Sequence, residues 1–304
     1  MPSPLKKEGR RETPEAIWGQ TKYRTTHSRY ERTIKMQHEK SILPKGKNWK
    51  LIWNDEFDGT ELDSSKWSFR RHLLHRKFET YTDQAAWLDG NGVLHLQVLE
   101  KDGQYYSSQL QTGENFLDRP SDDDWPIAPF STPKFMHKYG YYECRCKFPE
   151  QTGRWCAFWL QSPVIGSSPD PVKAGVEVDI VETFSDYSVI NNQTISHNTH
   201  WSGYGKDHLS GGLHAYDLQP TPDGFHLFGL DWSRSGYVFY VDGQESYRME
   251  SPVSDTEQFV LLTTECDGYR TKDWKGCPTE ALKNIKLPDD FLVDFVRVYD
   301  EEPK

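Results

Sequence analysis

The sequence predicts an all-β protein folded as a sandwich of two sheets. Three observations carry that expectation. Short β-branched and aromatic runs recur at close spacing over residues 49–299, turn residues separate them, and apolar residues almost never repeat at helical period. At 304 residues the chain is long enough for one large β domain or two small ones, each with a real core. Only 35% of it is hydrophobic but 14% is aromatic, so the rings, eleven Trp and sixteen Tyr among them, carry much of the apolar surface. Such rings fill a core or stack on the apolar face of a sugar, and for a single Trp both uses stand open.

Residues 1–47 read as a polar, basic N-terminal extension, either wrapping the body or partly disordered, with helical turns allowed around residues 30–38. The β domain follows over residues 48–304. It opens with the apolar run at 49–53 and a turn-rich stretch at 54–59. Val93-Leu94-His95-Leu96-Gln97-Val98 alternates as a half-buried strand does, just after the turn Asp89-Gly90-Asn91-Gly92, and residues 107–112 give another strand. Residues 113–138, with four prolines, are too long and irregular for an ordinary connection and read as one wall of a cleft. Strands are expected at 140–148, 154–161, 176–184, 194–201, 225–232, 237–241, 244–249, 258–265 and 291–299.

The chemistry concentrates in Val176-Glu177-Val178-Asp179-Ile180-Val181-Glu182-Thr183-Phe184, where three acids are threaded through an apolar run. In a strand Glu177 and Asp179 share a face, while Glu182, three residues on, points the other way. A β-bulge near Ile180 or Val181 would bring all three acids to one face. Crowded carboxylates raise one another's pKa, a cost that suits a pair of acids with different protonation states. Glycoside hydrolysis needs such a pair, one carboxylate as nucleophile and one carboxylic acid as proton donor. A solvated acidic strand face or a metal site is the alternative reading of the same pattern.

Further motifs give the stretch a context. Gly140-Tyr141-Tyr142-Glu143-Cys144-Arg145-Cys146-Lys147-Phe148, Gly153-Arg154-Trp155-Cys156-Ala157-Phe158-Trp159-Leu160, Thr199-His200-Trp201, Gly229-Leu230-Asp231-Trp232 and Tyr240-Val241-Asp242-Gly243 keep a fixed order around it. Together, over residues 49–299, they resemble glycoside hydrolase family 16, the group of laminarinases, mixed-linkage glucanases, agarases, porphyranases and κ-carrageenases. The resemblance implies a concanavalin A-like jelly roll with a concave substrate cleft. It also implies a retaining endo-β-glycosidase working through a covalent glycosyl-enzyme. Glu177 would be the nucleophile, Asp179 its assisting carboxylate and Glu182 the general acid/base, with the two glutamate carboxyls about 5 to 5.5 Å apart. Trp155 and Trp159, four apart on one strand, share a face and suit a stacking platform. Substrate-side roles are also expected for His200, Trp201 and Arg70, although the first two have opposite parity; Glu265 and Trp274 are weaker candidates. No cofactor is required. Many members of the family hold a structural calcium, and Glu56, Gly92 and Asp294 match positions that commonly bind it.

β-1,3-Glucan is the substrate expected first. Red-algal galactans (agar, porphyran or carrageenan) are the alternative, kept open by the basic cluster Arg70, Arg71, His72, His75, Arg76 and Lys77, which would suit sulfate groups. A transglycosylase with the same residues and a non-catalytic carbohydrate-binding sandwich are the rival functions.

The charge is split along the chain. Residues 1–50 hold thirteen Lys and Arg against five Asp and Glu, a balance of +8, which leaves −18 for the rest of the −10 total. An acidic body argues against nucleic acid as a partner, and the expected partner is a polysaccharide met by a monomer. No stretch reaches membrane-spanning length and residues 1–20 hold no apolar leader, so the chain as written is expected in the cytoplasm, or exported if an upstream segment precedes it. Five cysteines leave at least one unpaired. Cys144 and Cys146 read as buried thiols, and Cys266 and Cys277, which flank one loop, could pair on export.

Overall fold

A computed structural model describes residues 37–70, 80–115, 132–183, 193–269 and 277–303. The first strands are β1 (Asn48–Asp55), β2 (Ser68–Phe69), β3 (Ala86–Leu88), β4 (Leu94–Leu96), β5 (Leu99–Lys101) and β6 (Gln104–Tyr106). Next come β7 (Gln109–Gln111), β8 (Gly140–Lys147), β9 (Arg154–Gln161), β10 (Glu177–Thr183), β11 (Thr194–Trp201) and β12 (Leu209–Ser210). The last are β13 (His214–Asp217), β14 (His226–Ser233), β15 (Gly236–Val241), β16 (Gln244–Met249), β17 (Phe259–Cys266) and β18 (Phe291–Glu302).

Among the described residues these strands form two eight-stranded sheets and a small hairpin of β5 and β6. One sheet runs β16-β15-β14-β8-β18-β4-β3 with β1 added on β18; the other runs β12-β11-β10-β9-β17-β7-β2 with β13 added on β11. Strict alternation explains how they pack. Cys156, Phe158 and Leu160 of β9, Val260 and Leu262 of β17, and Tyr142, Cys144 and Cys146 of β8 all enter one core cluster between the layers. Each fully buried aliphatic or aromatic side chain there contributes about 1.5–3 kcal/mol through water excluded from it. The opposite parity of β9 and β17 puts Ala157, Trp159, Phe259 and Leu261 into a separate small cluster on the other face of their sheet.

All five cysteines are free thiols, with Cys144, Cys146, Cys156 and Cys266 buried and Cys277 exposed. Burial pushes the Cys156 thiol up to about 11, which keeps it neutral at ordinary pH. No helix among the described residues is long and apolar enough to cross a membrane.

Residues 37–47, the last of the region read as an extension, belong to the compact unit containing the sheets. Polar groups hold them there. Ser41 Oγ meets Tyr299 Oη at 2.5 Å, Arg297 donates to Ser41 Oγ and the Glu39 carbonyl at 2.9 Å each, and Lys47 donates to both carboxylate oxygens of Asp231 at 2.8 Å. A polar stretch can therefore be well seated when the sheet beneath offers buried polar partners. The helical turns expected up to residue 38, the cluster Arg71, His72, His75, Arg76 and Lys77, Trp274 and most of 113–138 lie largely or wholly outside the described residues.

Candidate active site

The acidic strand β10 lies between β9 and β11, and its register slips against both partners. The pairing jumps from Asp179 to Glu182 opposite β11 and from Asp179 to Val181 opposite β9. Ile180 and Val181 both enter the apolar core. Two consecutive side chains on one side mean a bulge, and the bulge returns Glu182 to the face of Glu177 and Asp179.

A local device supports the irregularity. His197 of β11 lies on the core side, its Nδ1 2.6 Å from the Ile180 carbonyl and its Nε2 2.8 Å from Ser246 Oγ. The carbonyl can only accept, so Nδ1 carries the proton and Nε2 accepts from the serine. Burial holds this imidazole down at about 4, hence neutral through ordinary pH. We expect His197→Ala to cost about 2 kcal/mol of stability, the scale of a buried polar group left without its partner. Because the bulge sets the position of Glu182, kcat should fall with it; urea unfolding and steady-state kinetics on the same sample measure both.

The three carboxyls are nearly out of solvent, at 9%, 2% and 5% exposure for Glu177, Asp179 and Glu182. Each has a different partner. Glu182 Oε1 accepts from Trp155 Nε1 at 2.9 Å, and Asp179 Oδ2 lies 3.3 Å from His200 Nε2. Glu177 Oε2 accepts from Gln161 Nε2 at 3.1 Å and from the Tyr204 hydroxyl. Burial and the charge of Glu177 push Asp179 well above the usual carboxylate range. Burial pushes Glu182 up likewise, against the opposing pull of the Trp155 hydrogen bond. Burial thus favours the neutral acid at Asp179 and Glu182, and two donors converge on Glu177.

A polar floor continues from there. Arg70 is buried, donates to Gln161 Oε1 at 3.2 Å and to Gln109 Oε1 at 3.4 Å, and lies over the Trp159 ring at 5.2 Å. Gln109 Nε2 donates to Glu265 Oε1 at 2.7 Å and to Tyr81 Oη at 3.1 Å. Trp159 Nε1 donates to Thr263 Oγ1 at 3.1 Å.

The arrangement has the parts that acid-assisted displacement at a sugar carbon needs. The family profile described as "Beta-porphyranase A-D, GH16 domain" matches residues 49–301. The chain belongs to glycoside hydrolase family 16. Among its relatives is the Glucan endo-1,3-beta-glucosidase A1 of Niallia circulans, 27% identical over 279 residues, a match covering 83% of this chain and 38% of that protein. The chain therefore spans well under half the length of that relative. Beta-porphyranase B of Phocaeicola plebeius is 27% identical over 310 residues, covering 88% of this chain and 90% of that one. The laminarinase catalytic domain of Thermotoga maritima superposes with a TM-score of 0.60 at 25% identity, covering 84% of this chain and all of that one.

Against the family 16 expectation, the site residues divide. Glu177, Asp179, Glu182, Trp155, Trp159, His200 and Arg70 come together in the cluster described above. Trp201 does not stand with His200: its ring packs against the sandwich core, as the opposite parity of adjacent strand residues requires. Gln161, Tyr204, Gln109 and His208 join the cluster without belonging to any of the sequence motifs. Gln161 shares the face of Trp159 two residues on, a signal that period two makes readable, whereas Tyr204 and His208 sit in a loop without periodicity.

The family's calcium set fares differently. Asp294 Oδ2 accepts from Arg145 Nη1 at 2.7 Å and Oδ1 lies 2.5 Å from His38 Nδ1. Glu56 takes both arms of Arg297, at 2.9 and 2.7 Å, and Asn54 Nδ2 at 3.0 Å. Both carboxylates already face cations of the chain, so Glu56 and Asp294 are not open to a calcium ion in this arrangement.

Proposed function

We propose that the chain is a retaining endo-β-glycosidase that cleaves internal bonds of a polysaccharide. The observation that carries the reading is the bulged strand that gathers Glu177, Asp179 and Glu182 on one buried face. Glu177 attacks the anomeric carbon as the glycosidic C–O bond breaks, and the Glu182 proton passes to the departing oxygen. Water then attacks the glycosyl ester, gives its proton to Glu182 and frees Glu177. Asp179, protonated and buried beside them, adds no second negative charge next to the nucleophile.

A β-galactan of the porphyran type is the substrate this reading favours. The porphyranase profile extends over residues 49–301, and the porphyranase relative aligns over nearly its whole length. Arg70, a buried cation against the Trp159 ring, suits a sugar bearing an anionic group beside a stacking face. β-1,3-Glucan is the second reading, supported by the likeness to the Niallia circulans glucosidase.

Reducing-sugar release from porphyran, agarose, κ-carrageenan, laminarin and mixed-linkage β-glucan separates the readings. Release from porphyran that disappears in Glu177→Gln supports the first, and release from laminarin alone supports the second. Binding without release from any of these glycans would favour a carbohydrate-binding sandwich, and products longer than the substrate a transglycosylase.

A further inference from the structure

We infer that Tyr204 is a positioning residue for the nucleophile and that its ring is also a wall of the sugar subsite beside it, an assignment that rests on the retaining reading above. The backbone puts it there. Ser202 and Gly203, with φ of 63° and 76°, follow directly on β11 in the left-handed region, which glycine enters without a Cβ penalty. Tyr204 follows at once, its hydroxyl donating to Glu177 Oε2 and accepting from Gln161 Nε2. The residue is 47% exposed although its hydroxyl is inside the polar cluster. An aromatic face left open to solvent with its polar end committed is the disposition of a sugar-stacking side chain.

The loop is tied down at a second point. The His208 ring lies 6.4 Å from that of Tyr204, and its Nε2 is 2.8 Å from His200 Nδ1. His200 reaches Asp179 through its other nitrogen. One loop therefore reaches both acids at the N-terminal end of β10, Glu177 by a hydrogen bond and Asp179 through the 3.3 Å approach of His200. Gln161 and Tyr204 both converge on Oε2 of Glu177, which assigns Oε1 as the oxygen that bonds the anomeric carbon. Oε2 becomes the ester carbonyl of the intermediate, and the two donors stabilise the carboxylate when water displaces it.

The test compares the full chain with Tyr204→Phe and Tyr204→Ala on whichever glycan the unaltered protein cleaves. Tyr204→Phe keeps the ring and loses one hydrogen bond to a charged group, so kcat should fall about 10- to 100-fold with KM unchanged. Tyr204→Ala should lose as much in kcat and also raise KM about 3- to 10-fold, the scale of a lost aromatic contact. Melting temperatures within about 2 °C of the unaltered protein would exclude a folding defect. A Tyr204→Phe variant with unaltered kcat, or a loss seen only in KM, overturns the positioning role. A Tyr204→Ala variant with unaltered KM overturns the subsite. If the unaltered protein cleaves none of the five glycans, the retaining reading fails separately. Retardation in glycan-containing gels then still reads the ring: loss in Tyr204→Ala but not Tyr204→Phe supports the subsite, and equal retardation of all three proteins overturns it.

Discussion

Glu177→Gln should abolish turnover, by on the order of 10⁵-fold or more, the scale seen when a covalent nucleophile is removed. The amide is nearly isosteric, and the Gln161 and Tyr204 donors that now meet Oε2 can meet its oxygen instead. The fold should therefore survive. Removing a charge from beside Asp179, which that charge helps to keep protonated, should leave the melting temperature unchanged or slightly higher. Glu177→Ala gives a complementary result, because the cavity admits a small anion on the nucleophile's side of the sugar. Azide attacking from there inverts the anomeric centre once, so rescue should yield a glycosyl azide of the α configuration from a β-linked substrate. Rescue that gave the β azide would contradict the role of Glu177.

Glu182→Gln should lower kcat/KM on the polysaccharide about 10²- to 10⁴-fold, the range of general acid catalysis. An aryl glycoside with a good leaving group departs without a proton, so the loss in its first step should be small. The pH profile gives a second readout. Burial raises the folded pKa of Glu182, so its proton, and the activity that needs it, is present below that raised pKa and lost as pH rises through it. The alkaline limb of kcat/KM should thus lie well above the ordinary carboxylate range and disappear in Glu182→Gln. A limb at ordinary carboxylate pH would mean that the acid is not held as the geometry implies.

The parts of this site legible in the sequence are those governed by strict periodicity. Period two puts Glu177 with Asp179 and excludes Glu182, and the contradiction between that pattern and the need for all three acids locates the bulge at Ile180 and Val181. The same rule sends His200 and Trp201 opposite ways, as the fold does. What is not legible depends on loops and on long-range polar pairing. Nothing in the composition of residues 202–208 announces that Tyr204 reaches Glu177, because two left-handed residues set its direction. Residues 37–47 look like a solvated tail, since no local pattern shows Ser41 and Lys47 meeting Tyr299 and Asp231, 258 and 184 residues later in the chain. The surroundings of Asp294 are set in the same way: its contacts with Arg145 and His38 depend on residues far from it in sequence.

The central claim, displacement by Glu177 through a covalent intermediate, is tested most directly by following the anomeric proton of the first-formed product by NMR, on the polysaccharide the enzyme cleaves. Two displacements at one carbon restore the starting configuration, so the β anomer should appear first and decay to the equilibrium mixture by mutarotation. An α anomer formed first would mean a single displacement by water, and would contradict a nucleophilic Glu177.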